Sequence, residues 1–245
     1  MSMPRFYCQE TLLPGAVIDL PELVARHAVR VLRMPPGVSM LLFDGQGGEY
    51  EAQITKIEKN RVEVKLGAWR DVERESVLEV TLVQAVQAGE KMDFTIQKAV
   101  ELGVVNIIPV DSRRSVTRLS GERAAKRIVH WQGVADSACE QCGRNRVPKV
   151  AQLEKLEQWL TRPSDAGLRL MLAPDAAMVM TDLSPVKKIE LLIGAEGGLD
   201  PQEMIAAEQA GFQAVRLGPR ILRTETAGLA ALAALQALWG DFRGG

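Results

Sequence analysis

The stretch from Leu191 to Trp239 constrains the fold more than any other, because six structural signals follow one another in it without a linker. Ile189 to Ile193 is an apolar run broken only by Glu190 and stopped at Gly194; a run this short suits a strand buried on both faces better than a helix. Gly194-Ala195-Glu196-Gly197-Gly198 then places three glycines in five residues, which permits positive φ and lets a ligand approach bare backbone. Asp200 as N-cap, Pro201 at the first helical position and Glu203 three residues after the cap predict a helix start, and Gly211 its stop. Phe212 to Leu217 is the next strand. The loop after Gly218, Pro219-Arg220-Ile221-Leu222-Arg223-Thr224-Glu225-Thr226, sets two arginines and two bulky apolar groups beside two hydroxyls and a carboxylate, a composition that points to a task. In the helix that follows, leucines 229, 232, 235 and 238 drift around the axis while alanines fill most other positions, so it needs cover on several sides. The domain core is expected on one side and a second subunit on the other.

Upstream, strands and helices alternate. Val77 to Val86 reads as a strand and Gly89 to Leu102 as a helix with Met92, Ile96, Ala99 and Val100 on one face. Gly103 caps it and Val104 to Val110 is a second strand, a βαβ unit that implies a parallel sheet. Ser120 is expected to cap a long helix with Ile128, Trp131, Ala135, Ala138 and Cys142 along its apolar stripe. A short helix at Leu153 to Leu160 and a strand at Leu168 to Leu172 complete at least five strands separated by helices. Three loops, at Leu172-Ala173-Pro174, Gly194 to Gly198 and Leu217 to Thr226, leave the C-terminal ends of the last strands, the edge where open α/β sheets bind ligands. The glycine loop matches neither the dinucleotide fingerprint nor the P-loop, which argues against a nucleotide-dependent oxidoreductase or an NTPase.

Residues 1–72 read as a separate small unit. A helix from about Leu20 to Arg33 carries Arg26, His27, Arg30 and Arg33 and stops at Met34-Pro35-Pro36-Gly37. Strand signals at Ser39 to Phe43, Glu49 to Ile57 and Arg61 to Leu66, with turns at Asp44 to Gly48 and Glu58-Lys59-Asn60, suggest a small β-barrel. His27 reads as a surface or packing residue, with RNA contact as the alternative that its basic neighbours favour. The charged run Asp71 to Ser76 is the domain boundary.

The chain of 245 residues carries a net charge of −1, so it is not a globally basic nucleic-acid binder, but nine Lys/Arg face four acids between Asp111 and Lys149. That excess is either a solvated helix face or a phosphate-binding strip. No run approaches membrane-span length and no signal-peptide core is visible, so a cytoplasmic protein is expected. Cys8, Cys139 and Cys142 are too few for a disulfide framework or a four-thiolate zinc site, and Cys139-x-x-Cys142 ends a helical pattern instead of beginning one, which favours packing over redox or metal chemistry.

Three segments in combination resemble the SPOUT-class RNA methyltransferases, specifically the ribosomal RNA small subunit methyltransferase E family: Ile193 to Gly198, Leu217 to Ala227, and Cys139-Glu140-Gln141-Cys142-Gly143-Arg144. Val31 to Met34 with Pro36-Gly37, Gly89 to Met92, and Gln97-Lys98 with Glu101 to Gly103 are similar as well; Ala195 departs from the proline usual in the family. The resemblance implies an α/β fold: a PUA-like β-barrel RNA-binding domain over 1–72 and, over 73–245, a mostly parallel methyltransferase domain with a trefoil knot, assembled as a homodimer. It implies methylation of N3 of one uracil in 16S rRNA within the small ribosomal subunit, with S-adenosylmethionine as cofactor and no metal. The cofactor site would comprise Leu172, Pro174, Gly194, Glu196, Gly197, Gly198, Leu217, Gly218, Arg220, Ile221 and Leu222.

Uracil N3 carries a proton and is a poor nucleophile until that proton is removed or the resulting anion stabilised. Arg220 or Arg223 could stabilise charge on the uracil carbonyls, Glu225 could orient that arginine or accept the proton, and Glu196 is a second carboxylate candidate. Helix capping by Thr224-Glu225-Thr226 is an equally open reading. The target base must be unpaired or turned outward. Its phosphate neighbours are expected on Arg26, Arg30, Arg33, Lys91, Lys98, Arg113, Arg114, Arg118, Arg123, Arg127, Arg144 and Arg146. Two alternatives remain open: a related knotted methyltransferase acting on tRNA or another rRNA position, and an RNA-binding dimer without catalysis.

Overall fold

The computed structural model describes residues 3–59 and 61–243; Asn60, part of the expected turn, lies outside them. The chain divides into two compact units, Met1–Glu75 with Asp136–Val147, and Ser76–Ala135 with Pro148–Gly245.

The first unit is built on strands β1 (Arg5–Tyr7), β2 (Val17–Asp19), β3 (Ser39–Phe43), β4 (Glu49–Glu58) and β5 (Arg61–Arg70), in the order β1-β3-β4-β5-β2. All neighbours are antiparallel except β1 and β3. Alternation sets the inward face: Ala52 and Ile54 on β4 and Val62, Val64 and Leu66 on β5 are buried, while the charges between them face out. Helix α1 (Glu22–Arg26) lays Val24 and Ala25 on that core and continues as a π-helical turn over His27–Val31, so the single helix expected from Leu20 to Arg33 is two short turns. His27 stacks its ring edge-on against Phe6 at 5.5 Å. Strands β1 and β2 escape the sequence reading, since three residues are too few to show a period.

The return segment 136–147 is tied into this unit by charge. Arg144 is only 4% exposed and lies across Glu75, its Nε donating at 2.9 Å to one carboxylate oxygen. Arg146 Nε donates to Glu73 at 2.8 Å, and the Asn145 side chain donates to the Val72 carbonyl at 2.6 Å. Asn145 in turn accepts from Arg5, whose other partner is buried Glu49. The charged run 71–76 is therefore no free linker.

The second unit is a parallel sheet of seven strands, β6 (Glu79–Ala85), β7 (Val104–Asp111), β8 (Lys149–Val150), β9 (Glu154–Lys155), β10 (Leu168–Leu172), β11 (Lys188–Ile193) and β12 (Phe212–Val215). Their order is β12-β10-β11-β6-β7-β8, with β9 also on β7. Its helices are α2 (Lys91–Glu101), α3 (Gly121–Cys142, whose last turns belong to the first unit), α4 (Leu156–Leu160), α5 (Pro201–Gln209) and α6 (Thr224–Trp239). The expected helix start at Leu153 is replaced by β9, so α4 begins three residues later. Helix α6 packs on α2, β6 and β11, burying Gly228, Ala231, Leu232 and Leu235 and leaving Leu229 and Leu238 partly exposed. Gln236 is fully buried, donating to the Leu102 carbonyl at 3.0 Å and accepting from Ser76 Oγ at 2.7 Å. Among the described residues, no helix is long and apolar enough to cross a membrane.

Cutting Arg144 back leaves the Glu75 carboxylate charged and shut away from water. Arg144→Ala is expected to cost about 3–5 kcal/mol, read as a lowered midpoint in urea or thermal unfolding.

Candidate active site

Strands β10, β11 and β12 end side by side, and the loops leaving them wall a cavity of about 670 Å³. A pocket of this size accommodates a nucleoside-sized ligand. The floor is the glycine loop. Gly198 has φ +74 and donates its amide to the Ala195 carbonyl at 2.8 Å, folding the loop back on itself. A Cβ at Gly194 would fall 2.8 Å from the backbone of both Gly198 and Leu199, so no side chain fits there.

Helix α5 carries the loop onward. Asp200 caps it as expected, accepting from the Gln202 amide at 3.0 Å, and Glu203 closes the capping box on the Asp200 amide at 2.9 Å. The other oxygen of Glu203, 1% exposed, accepts the Arg113 amide at 2.7 Å. One carboxylate thus fixes both the glycine loop exit and the loop after β7.

The far wall, residues 216–222, is held by Thr224. Its hydroxyl donates to the Gly194 carbonyl at 2.6 Å and accepts from Gln84 at 3.2 Å and Gln87 at 3.3 Å. A hydroxyl has one donor and two acceptor positions, and all three are used. Gln87 is itself fixed by Thr95 at 2.9 Å, and all four side chains are buried. The capping expectation for Thr224 is corrected here: the N-cap is Arg223, with no side-chain cap, and the Thr224 hydroxyl serves the glycine loop.

All eleven residues expected to contact a cofactor line this cavity, together with Arg114, expected on RNA, Thr224, expected as a cap, and Asp175, Met204, Glu208 and Arg216, among others, which the sequence reading passed over. Arg216 sits directly before Leu217, within reach of the motif that was used; Gln84, inside the end of a buried strand, and Gln87, just past it, carry no such signal. Of the catalytic candidates, Arg220 and Glu196 are in the wall, and the Ala88 amide donates to Glu196 at 3.0 Å. Arg223 and Glu225 lie just past the wall. Arg223 is exposed, while Glu225 sits in the first turn of α6 with Oε1 3.7 Å from Lys91 Nζ and Oε2 shielded from solvent without a partner.

The basic residues fall into two groups. Arg26, Arg30, Arg33, Arg123 and Arg127 are exposed and have no ion pair among the described residues. The rest are engaged: Lys91 with Glu225, Lys98 with Glu101, Arg113 with Glu157, Arg118 with Asp111, Arg146 with Glu73, and Arg114 with the Gly197 carbonyl at 2.9 Å. Arg144 is corrected outright, since a buried guanidinium spent on Glu75 cannot hold a phosphate.

Among the described residues, no group of three or more His, Cys, Asp or Glu could hold a metal ion. All three cysteines are free, and burial pushes the Cys8 and Cys139 thiols up to about 12. A thiol-specific reagent at mildly alkaline pH is expected to modify only Cys142 in the folded protein, and all three once denatured; mass spectrometry counts the adducts.

Thr224→Val keeps the shape but strands the Gly194 carbonyl and two glutamine amides. It is expected to cost about 1–3 kcal/mol in chemical denaturation and to weaken ligand binding in the cavity.

Comparison with known proteins agrees with this geometry. The model of an RNA methyltransferase domain matches residues 73–236, and that of an RNA methyltransferase PUA domain matches residues 22–67. The ribosomal RNA small subunit methyltransferase E of Buchnera aphidicola subsp. Schizaphis graminum is 34% identical over 240 residues, 98% of each chain. That of Bacillus subtilis is 30% identical over 218 residues, 85% of each. Among solved structures, the ribosomal RNA small subunit methyltransferase E of Neisseria gonorrhoeae bound to S-adenosyl methionine is 47% identical. It superposes with a TM-score of 0.94 over 98% of this chain and 100% of that one. A putative methyltransferase of Legionella pneumophila, in complex with the same cofactor, gives 36%, 0.95, 98% and 100%.

Proposed function

Because the chain belongs to the ribosomal RNA small subunit methyltransferase E family, we propose that it uses S-adenosylmethionine to methylate N3 of one uracil in 16S rRNA of the small ribosomal subunit. The observation that carries this reading is the single cavity walled by the three loop segments on which the family resemblance and the sheet-edge rule converge. The cavity fits the cofactor: Gly198 presents open space where a side chain would stand, and apolar Leu172, Leu217, Ile221 and Leu222 offer a flat base contact.

The bound cofactor supplies an electrophilic methyl on a sulfonium; the protein has to align the acceptor nitrogen and manage its proton. Glu225 is the residue we assign to that proton. It sits in the first turn of α6, at the end of the far-wall segment, and its Oε2 takes no hydrogen bond from a described residue. Lys91 on Oε1 orients the group. Arg223, exposed two residues earlier, stabilises the negative charge that spreads onto the uracil carbonyls, with Arg220 at the cavity rim in support. Glu196, with an oxygen committed to the Ala88 amide, serves the glycine loop better than the proton.

The remaining assignments follow the same reading. Residues 1–72 form a PUA-like RNA-binding domain and 73–245 the methyltransferase domain. Arg26, Arg30, Arg33, Arg123 and Arg127, all exposed and unpaired, take the phosphates, with Arg113, Arg114, Arg118, Arg146, Lys91 and Lys98 available only where RNA outcompetes an existing partner. The C-terminal region is knotted. In support, the chain leaves edge strand β12 and returns to β11 and β6 as α6, with Thr224 bonded to Gly194. The protein is a cytoplasmic homodimer, whose interface uses the partly exposed Leu229 and Leu238 face of α6.

Incubation with labelled cofactor and purified small subunits, followed by mapping of the modified base, tests the function. Label on one 16S rRNA uracil is expected; label only on tRNA, or no transfer with intact RNA binding, would select one of the alternatives. Arg223→Ala is expected to keep cofactor affinity within about threefold while turnover falls roughly 100-fold, the range for losing one electrostatic stabiliser. Full turnover in that variant sinks the role given to Arg223.

A further inference from the structure

Arg33 is the only residue other than glycine with a positive φ among those described, at +55. It follows the π-helical turn, and the chain reverses through it. The Leu32 amide still donates back along the turn to the His27 carbonyl at 3.0 Å. The Met34 amide reaches over to the Ala28 carbonyl at 3.0 Å, and the Met34 side chain enters the core of the first unit. A helix that ends this way takes glycine or asparagine at the left-handed position, because a Cβ there crowds the following carbonyl. Glycine would serve the fold better, yet the chain carries a long cation.

The side chain gains nothing inside the protein. Arg33 is exposed, and no hydrogen bond or ion pair with a described residue involves its guanidinium. Its surroundings are unlike those of a merely solvated cation. Val31 is 65% exposed, Leu32 44% and Leu23 71%, and these apolar side chains are interspersed with Arg26, His27 and Arg30 against one acid, Glu22. Exposed apolar side chains find nothing in a phosphate, whereas the flat face of a base or a ribose offers them contact. A phosphate contact also makes no demand on the backbone beneath it, and Arg26 and Arg30 reach out from helical turns. A left-handed residue sets its Cα–Cβ bond at another angle from the helical residues before it, which matters where the orientation of the guanidinium decides the contact.

We propose that Arg33 goes beyond the phosphate contact open to every exposed cation of this face and reads the edge of one unpaired guanine in the substrate RNA. The inference rests on RNA as the substrate of this chain and adds a sequence-reading contact to it. Arginine has donors only, so its fork needs two acceptors side by side, and guanine presents them as O6 and N7. Adenine sets an amino donor beside its N7 and leaves one arm of the fork without an acceptor. Leu32, the preceding residue, supplies apolar surface for the same nucleotide.

Uridine nonamers carrying one central guanosine, adenosine or 7-deazaguanosine, which lacks the N7 acceptor, test this by fluorescence anisotropy on the full chain without cofactor. The wild-type chain is expected to bind the guanosine RNA about 5- to 100-fold more tightly than the adenosine RNA, the range for one bidentate base contact, with the 7-deazaguanosine RNA between them. Arg33→Lys keeps the charge without the fork, so it should bind the adenosine RNA within about twofold of wild type and lose the preference. Arg26→Ala, which removes a phosphate contact, should weaken all three RNAs alike and lower the salt dependence. Arg33→Gly separates recognition from folding: the preference disappears while the urea midpoint rises, because the left-handed strain is gone. Equal binding of the three RNAs by the wild-type chain, or a preference that survives in Arg33→Lys, overturns the proposal. So does a lowered midpoint in Arg33→Gly, which would mean that the arginine is kept for the fold. Failure of the wild-type chain to bind any of the three would overturn the RNA reading of this face, and the proposal with it.

Discussion

The hydrogen bond from the Thr224 hydroxyl to the Gly194 carbonyl is the contact on which the site depends. It joins the exit of a central strand to the first residue of the last helix, and so holds the 216–222 segment over the glycine loop. The hydroxyl is saturated by Gln84 and Gln87, whose amides come from the end of β6 and the loop after it. Three segments far apart in sequence meet at one oxygen, and every hydrogen-bonding position of that hydroxyl is filled. Gly194 is the complement to that bond. Its carbonyl must be close enough to accept, and the missing Cβ is what lets Gly198 and Leu199 lie against it.

Glu203 plays the corresponding part on the opposite wall, where one carboxylate completes a helix cap and anchors the loop after β7. The two anchors fix the cavity walls through main-chain partners, so the wall side chains are left to the ligand. The buried polar atoms left without a hydrogen bond near these walls are Gln84 Oε1, Arg216 Nε and Glu225 Oε2.

The parallel sheet was legible because short apolar runs alternate with helical patterns, with β11 stopped at Gly194 and β10 and β12 soon followed by Pro174 and Gly218, and the α5 cap because Asp200, Pro201 and Glu203 have no other common use. What stayed hidden was pairing at long range. Arg144 and Arg146 read as part of a basic strip, yet the structure matches them with Glu75 and Glu73 about 70 residues away, and a sequence shows charges without showing partners. Gln84 was hidden differently: a lone amide at the end of an apolar strand looks like an interruption until its acceptor, 140 residues further on, is in place. The cofactor loops were visible as loops; that Arg216 belongs with them was not, because an arginine at a strand end is ordinarily solvated.

The lateness of Thr224 in the chain also bears on how the protein is made. Every strand of the parallel sheet has left the ribosome before Thr224 does, and Gln236, which reaches back 160 residues to Ser76, comes later still. A nascent chain can therefore assemble the sheet while the binding site has no far wall, and the site closes only once Thr224 has emerged. Contacts of such sequence separation slow folding, since the chain must close large loops before they reward it. Until then the inner face of α6 and the ends of β10 to β12 are uncovered apolar surface, the interval in which the newborn protein is most exposed to aggregation and most in need of a chaperone.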